Sequence, residues 1–274
     1  MGLLCALGCA IMRKILELEG VGVTREQLLT CALDIGEQML ISSAEVGRVE
    51  MAIRYICSAY GCSRTDVFTI TSSIVVSIAD SDGSHTSQTR RITATQTDLA
   101  KLHRLNALSR RICAEKPEYE SVQAQIKNIC EAKRFPLWTE ALASALIAFS
   151  FAIFFGGAWF DGAVAAILGF GMRYLTWILQ IGSMNQIFIN VVASFLLSIS
   201  AILLAKTGMG LDANKIIIGN IMLLIPGIAL TNSLRDMISG DIMTGMLRLF
   251  DALLVAAAIA AGYILAAQLL GGVL

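Results

Sequence analysis

Four long stretches without a charged residue occupy the second half of this chain, and they constrain its fold more than any other feature. They cover residues 141–160, 174–205, 216–234 and 252–274. About 20 apolar residues in a helix are enough to cross the hydrocarbon core of a bilayer. The second stretch is too long for one helix, and polar residues and a glycine interrupt it between positions 182 and 186. The sequence therefore predicts five membrane helices, near 140–158, 162–180, 187–205, 215–234 and 250–270.

Charge divides the chain into two parts. Residues 1–134 hold 16 basic and 15 acidic residues, whereas residues 135–274 hold five and six. The first part has the charge content of a water-soluble domain, and the second has that of a membrane bundle. This excludes a wholly soluble protein and a disordered chain, and the net charge of zero argues against a nucleic-acid-binding protein. We expect one domain over 1–134 and a transmembrane domain over 135–274.

The first domain is predicted to combine helices with a small antiparallel sheet. Thr24 and Gln27 fit a capping box, and apolar residues then recur at helical spacing. The remaining expected elements are a helix over 46–60, strands over 67–70, 74–78 and 86–93, a turn at 80–83, and helices over 99–112 and 117–134. Residues 1–12 are interpreted as part of a further helix. The predicted fold class is an α-helical multi-pass membrane bundle of about five transmembrane helices with an N-terminal α+β cytoplasmic domain.

Basic residues near the predicted spans indicate the orientation. With the N-terminus inside, five of them lie on the cytoplasmic side and two lie outside. The first group is Lys127, Lys133, Arg134, Arg235 and Arg248, and the second is Lys206 and Lys215. Because positive charge favours the cytoplasmic side, we expect an inner-membrane protein whose odd number of spans leaves the C-terminus outside. All seven cysteines precede residue 134 and therefore belong to the predicted soluble domain. Because free thiols are usual in a reducing cytosol, we expect them to be unpaired.

Three polar features of the membrane half are candidates for function. Arg173 lies about eleven residues into the second predicted span, where a charge needs a partner, a watery cavity or a route to the interface. Pro226 and Gly227 interrupt the fourth span, as in transporters with broken helices or in a simple kink. A dense run of polar residues follows from Thr231 to Asp251, which suits either solute binding or a cytoplasmic loop whose charges pair with each other.

Complete catalytic and metal-binding motifs are missing from the sequence. Residues 80–83 resemble the start of a calcium loop but lack its closing Glu, and residues 61–65 lack the last glycine of a nucleophile elbow. His85 and His103 belong to different predicted elements. We therefore predict no catalytic residue, no metal site and no cofactor, and we expect a protein that is not an enzyme.

The run from Pro226 to Arg248 resembles the threonine/serine exporter family, as do residues 45–50 and 102–108. The resemblance extends over residues 24–270. The positions that match the family motif are Pro226, Gly227, Thr231, Asn232, Arg235, Asp236, Gly240 and Asp241. The resemblance implies a cytoplasmic domain before a membrane domain. Fused members of the family carry about ten spans, whereas split members pair a chain like this one with a shorter partner. With about five predicted spans, the resemblance implies a two-component transporter, and some split members are associated with succinate export.

The resulting hypothesis is a subunit of an inner-membrane secondary exporter for small carboxylate-bearing solutes, either threonine and serine or a dicarboxylate such as succinate. Arg173 or Arg235 would meet the carboxylate, and Asp236 or Asp241 would meet an amino group or a coupling proton. The expected substrate-binding residues are Arg173, Pro226, Gly227, Thr231, Asn232, Arg235, Asp236 and Asp241. The expected partners are this solute, membrane lipid, a second membrane subunit and further copies in an oligomer, but no nucleic acid.

Two other classes of function stay open at this point. In the first, the chain is a non-transporting membrane scaffold or regulatory subunit, and alanines at four-residue spacing serve helix packing. In the second, it is a membrane-anchored enzyme, which the incomplete motifs disfavour. The identity of the substrate, the coupling ion and the role of the soluble domain do not follow from the sequence.

Overall fold

The computed structural model describes residues 24–79, 85–132, 135–182 and 184–270. Within these residues the chain forms ten α-helices and three β-strands. The described residues divide into two compact units. The first contains the chain up to Ala132 together with Thr231–Arg248, and the second contains the rest. The helix expected at 1–12 and the turn expected at 80–83 lie outside the described residues.

The first unit consists of an antiparallel sheet, four helices and the segment Thr231–Arg248. Its helices are α1 (Arg25–Ile41), α2 (Val46–Ala59), α3 (Leu99–Glu115) and α4 (Tyr119–Cys130), and its strands are β1 (Arg64–Ile70), β2 (Ser73–Ala79) and β3 (His85–Arg91). The sheet order is β1-β2-β3, and Val67 pairs with Val76, which pairs with Gln88. The capping box predicted at Thr24 is present, since its hydroxyl accepts from the Gln27 amide and the Gln27 side chain accepts from the Thr24 amide.

The core of the first unit joins one face of the sheet to the helices. Alternate residues of β2 are buried, which places Ile74, Val76 and Ile78 against the helices. Leu29 of α1 and Leu105 of α3 belong to the same apolar cluster and are fully buried. Burial of side chains of this size contributes about 1.5–3 kcal/mol each, so this cluster is the main source of stability for the unit.

The second unit is built from long apolar helices. These are α5 (Leu137–Phe154), α6 (Trp159–Ile181) and α7 (Gln186–Ala205), followed by the short α8 (Ala213–Ile221). Two more helices, α9 (Gly227–Ile238) and α10 (Ile242–Leu269), each have residues in both units. Among the described residues, four helices are long and apolar enough to span a membrane, namely α5, α6, α7 and α10.

The fourth predicted span, 215–234, is wrong as a single helix. The chain forms α8 and α9 there, separated by Met222–Pro226, and neither piece is long enough to span alone. The break has a local cause, because proline has no N–H and its ring clashes with the preceding turn. The amides of Leu223 and Leu224 tighten the end of α8 by donating to the carbonyls of Asn220 and Ile221. The fifth predicted span, 250–270, begins earlier than expected, at Ile242.

Candidate functional site

A cluster of polar contacts in the first unit contains five of the eight predicted binding residues, Thr231, Asn232, Arg235, Asp236 and Asp241. It joins Thr231–Arg248, which is the end of α9 and the start of α10, to residues 43–46, which connect α1 to α2. We call this cluster the joint. Gly240 has φ +100° and reverses the chain between the two helices, a conformation that costs glycine little.

The connection between α1 and α2 presents its backbone carbonyls to the joint. Ser43 has a positive φ of 68°, which is uncommon for a residue other than glycine. Asn232 Nδ2 donates to the Ser43 carbonyl at 2.9 Å, and Arg248 Nη2 donates to the Ala44 carbonyl at 2.8 Å. These two side chains thus satisfy acceptors that no regular element of the first unit satisfies.

Asp236 caps α2 although it lies 190 residues away along the chain. The Val46 amide, at the first position of α2, donates to Asp236 Oδ1 at 3.3 Å. The first amides of a helix lack partners within the helix, and Glu45 at the cap position makes no capping bond with its side chain. Asp236 therefore supplies the capping acceptor that the local sequence does not.

A buried ion pair completes the centre of the joint. Arg248 Nη1 lies 3.1 Å from Asp236 Oδ2, and the two side chains are only 12% and 2% exposed. Burial raises the pKa of Asp236 above its usual value, while the Arg248 guanidinium and the Val46 amide act in the opposite direction. A carboxylate buried to this extent is stable only with such partners.

The rim of the joint is more accessible. Arg235 forms an ion pair with Glu45, and its side chain is 56% exposed. Arg48 reaches the same Glu45 oxygen from within α2, at 3.5 Å. Asp241 is half-buried, and its charge contributes to raising the pKa of Asp236 and of Glu50. The rim thus pairs carboxylates with guanidinium groups that solvent reaches.

The other three predicted residues belong to the second unit. Pro226 and Gly227 lie there at the break before α9. Arg173 also belongs to the second unit and is paired there with Glu140: its Nε donates to Oε2 at 2.8 Å. The eight residues therefore do not form one site within either unit.

Several partners in these contacts were not among the predicted binding residues. Glu45 and Arg248 had been noted in the motif that resembles the exporter family, but nothing in the sequence indicated that they meet Asp236 and Arg235. Glu140 was missed, although it is the only acidic residue of its predicted span. A charged residue in each of two consecutive spans is the signal that would have indicated the pair with Arg173.

Other polar residues of the second unit fix helix ends and crossings. The buried Asp161 carboxylate accepts the backbone amides of Ala158 and Asp212, at 2.8 and 2.9 Å. Asn220 of α8 donates to the Ala165 carbonyl of α6 at 3.1 Å. A cavity of about 410 Å³ lies between the end of α7 and the start of α8, and Lys206 and Asp212 are among its lining residues. The described part of the chain contains no group of three or more His, Cys, Asp or Glu residues suited to a metal ion.

Comparison with known proteins agrees with the family resemblance. The family described as "Putative threonine/serine exporter" matches residues 30–270. A probable threonine/serine exporter of Mycobacterium tuberculosis is 25% identical over 245 residues, which are 87% of this chain and 45% of that protein. The threonine/serine exporter of Corynebacterium glutamicum is 28% identical over 251 residues, 88% of this chain and 51% of that protein.

A third relative is named as a transporter subunit. A probable succinate transporter subunit of Klebsiella aerogenes is 28% identical over 156 residues, which are 56% of this chain and 60% of that protein. No solved structure matches the chain. The chain spans about half the length of the two exporters that it matches.

Proposed function

We propose a transport function from one premise: the chain belongs to the threonine/serine exporter family. Family membership and its long apolar helices make it a multi-pass membrane protein. We infer that it is a subunit of a secondary exporter in the inner membrane, with its N-terminal unit in the cytoplasm and its C-terminus outside. The proposed substrates are threonine and serine, or a dicarboxylate such as succinate, since these solutes appear in the names of its relatives.

A second membrane subunit is part of the proposal. The two exporter relatives are about twice as long as the part that this chain matches, and the third relative is named as a subunit. The four long helices and the broken α8–α9 pair would then be completed by spans from another chain. This association with another chain would determine which helix surfaces face lipid and how many copies form the oligomer.

The joint carries the mechanistic part of the proposal. Arg235, the most exposed basic residue of the joint, is paired with the carboxylate of Glu45, which is the same chemical group that the proposed solutes carry. A guanidinium can hold a carboxylate through two parallel hydrogen bonds. We therefore propose that a cytoplasmic solute displaces Glu45 from Arg235 and that Asp241, on the same rim, meets its amino group or a proton.

The inner residues of the joint have a different proposed role. Asn232 and Asp236 use their polar atoms on residues 43–46, and Asp236 is too buried to meet a solute directly. We assign them to holding this connection in place, so that release of Glu45 at the rim changes how firmly residues 43–46 are held. Thr231 lies next to this contact on α9.

The break before α9 and the pair in the second unit are proposed to line the path. Pro226 leaves backbone groups outside regular helix, and a Cβ added at Gly227 would have nothing within 4 Å. Broken helices place such groups next to substrate in many transporters. Arg173 resembles Arg235 in that its guanidinium is paired with a carboxylate, here that of Glu140. We propose that a solute carboxylate replaces Glu140 in this pair.

Efflux measurements test the proposal directly. Cells that lack their own exporters would be loaded with labelled threonine or succinate, and the chain would be expressed alone and with its short membrane partner. We expect efflux of one of these solutes only when both chains are present. With both chains confirmed in the membrane, unchanged retention of both solutes would contradict the proposal.

A matched pair of variants tests the role of the rim. Each of the variants Arg235→Ala and Arg48→Ala removes one guanidinium from Glu45. Only Arg235 belongs to the family motif in Thr231–Arg248, so Arg48→Ala is the control. We expect Arg235→Ala to lower efflux at least tenfold, which corresponds to about 1.4 kcal/mol, and Arg48→Ala to leave it nearly unchanged. Equal efflux from both variants at equal membrane abundance would rule out the assignment of Arg235.

A non-transporting scaffold is the second candidate, and one observation favours it. Asn232 and Asp236 bind residues 43–46, and Arg248 binds Asp236 in a buried pair, as expected of a polar segment that holds a fold together. In this case Arg235→Ala and Asp236→Ala would lower efflux only as far as they lower the amount of assembled complex. Measuring efflux per assembled complex distinguishes the two candidates.

A further inference from the structure

Two cysteines are in contact at the end of α2, away from the joint. Gly61 has φ +83°, the Cys62 amide donates to the Cys57 carbonyl at 3.1 Å, and the Gly61 amide donates to the Ser58 carbonyl at 3.0 Å. This pair of hydrogen bonds is a Schellman motif, in which the first residue of the last helical turn and the second residue beyond the helix face each other. Cys57 and Cys62 occupy these two positions.

The contact between the two side chains is direct. The Cys57 and Cys62 thiols share a hydrogen bond, and this bond together with burial keeps the pKa of Cys57 well above its usual value. Neither cysteine is part of a disulfide. A disulfide requires Cα atoms within about 7 Å and Cβ atoms that face each other. The Schellman motif places these two positions opposite each other at the end of α2.

The two thiols differ in access and surroundings. Cys57 is fully buried, whereas Cys62 is partly exposed. Arg25 Nη1 donates to Cys62 Sγ at 3.8 Å. A guanidinium beside a solvent-accessible sulfur is typical of cysteines that react as thiolates, and buried thiols are inert until a partner reaches them.

We propose that Cys57 and Cys62 form a dithiol site that peroxide oxidises to a disulfide. The Cys62 thiol first loses its proton, and the thiolate attacks one oxygen of hydrogen peroxide. The O–O bond breaks, Cys62 becomes a sulfenic acid, and the leaving hydroxide takes up the released proton to form water. The Cys57 sulfur then attacks the Cys62 sulfur, the S–S bond forms, and the S–O bond breaks. The Cys57 proton leaves with that oxygen as water. Two thiols lose two electrons in total, and one peroxide is reduced to two waters.

The other described thiols are not equivalent to this pair. Burial raises the pKa of Cys31 to about 12 and also raises the pKa of Cys113. Cys130 is exposed on α4 and serves as the internal control for unspecific oxidation. Cys113 is the competitor to exclude, because it also contributes to raising the pKa of Cys57.

The test uses the full chain, purified in detergent under reducing conditions and then treated with hydrogen peroxide. Trypsin releases residues 55–64 as one peptide with both cysteines, and cleavage after Tyr60 by chymotrypsin separates them. We expect the mass of this peptide to fall by two hydrogen atoms after oxidation. Its two halves should stay joined by the disulfide after chymotrypsin cleavage and should separate when a thiol reductant is added. Cys130 should remain open to N-ethylmaleimide.

Variants separate the proposal from its rivals. Cys57→Ser should stop the reaction at a Cys62 sulfenic acid that dimedone captures, whereas Cys113→Ser should leave the disulfide unchanged. A link from residues 55–64 to the peptide of Cys113 would overturn the pairing. Full alkylation of both cysteines after treatment, with Cys130 already oxidised, would overturn the site itself.

Discussion

Asp236 shows how a single residue connects distant parts of the sequence. Its carboxylate caps a helix that begins 190 residues earlier and binds the buried Arg248. Loss of one member of such a pair leaves the other charge buried without compensation. The same residue has a raised pKa, so the stability of the joint is expected to depend on pH.

The pH dependence has a definite sign. The pKa of Asp236 lies above its ordinary value of 3.8 chiefly because of burial, with Asp241 and Glu45 acting in the same direction and Arg248 against it. The intact joint therefore binds this proton more tightly than the opened joint. Protonation should strengthen the joint as pH falls from neutral through the raised pKa, and the gain should end below the ordinary value.

Hydrogen exchange at the Val46 amide measures this effect, because Asp236 is its acceptor. We expect its protection factor to rise as the pH is lowered from about 7 to 4, and Asp236→Asn to make it independent of pH. The Val49 amide donates within α2 to the Glu45 carbonyl and is the control. A falling protection factor at Val46 over this range would show that the sign is wrong.

The pair of Arg173 and Glu140 is the second residue-scale case. An uncompensated charge in a membrane helix costs about 2.5–3.5 kcal/mol, so Arg173→Met and Glu140→Gln should each lower the melting temperature and the membrane abundance. Exchange of the two residues, Arg173→Glu with Glu140→Arg, should recover part of the loss, because the pair is restored with reversed charge. No recovery in the exchanged variant would mean that another contact holds these side chains.

At the scale of elements, local patterns were sufficient for most of the fold. The hydroxyl of Thr24 and the apolar spacing after it determine where α1 begins, and the β-branched run from Ile74 to Ile78 determines β2. The membrane helices follow from the absence of charge. Pro226 was recognised as an interruption, but its consequence, two short helices in place of one span, depends on how the freed backbone groups are satisfied.

The candidate site was predictable only in part. The residue types of the motif were evident, yet the contacts of Asn232, Arg235 and Asp236 are with residues 43–46. Nothing local to either segment indicates the other, since each looks like an ordinary polar connection. Long-range pairing of this kind is determined by the tertiary fold, which periodicity and propensity do not describe.

The crossing of α7 and α10 depends on a glycine. A Cβ at Gly262 would lie 3.0 Å from the Phe195 amide nitrogen and 3.0 Å from Ser194 Cβ, and Ser194 Oγ donates to the Ile259 carbonyl at 2.7 Å. Small residues allow such close approach of membrane helices. Gly262→Ala should therefore destabilise the second unit by about 1–3 kcal/mol.

Gly171 of α6 is the matched control, because a Cβ there would have nothing within 4 Å. Gly171→Ala should be neutral or stabilise by up to about 1 kcal/mol through helix propensity. Melting temperatures of the two variants in detergent provide the comparison. Equal melting temperatures of the two variants would mean that α7 and α10 can move apart to accommodate the Cβ at position 262 without loss of stability.

At the scale of the whole molecule, the joint constrains the membrane topology. Asn232 donates to the Ser43 carbonyl, so these residues lie on the same side of the bilayer. Between them, the described residues contain three continuous helices long enough to cross, α5, α6 and α7. An odd number of crossings would leave the two residues on opposite sides. We therefore expect the chain from α8 to the start of α9 to cross the bilayer as well.

Cysteine labelling tests this topology. Met209 lies between α7 and α8 and Ser239 lies between α9 and α10, and both are exposed. In intact cells a membrane-impermeant maleimide should label Met209→Cys but not Ser239→Cys, and it should label both after permeabilisation. The native cysteines precede residue 134 and should behave like Ser239→Cys, which makes the unsubstituted chain the blank. Labelling of both variants in intact cells would mean that α8 and α9 do not cross, and the contact between Asn232 and Ser43 would then be incompatible with three crossings.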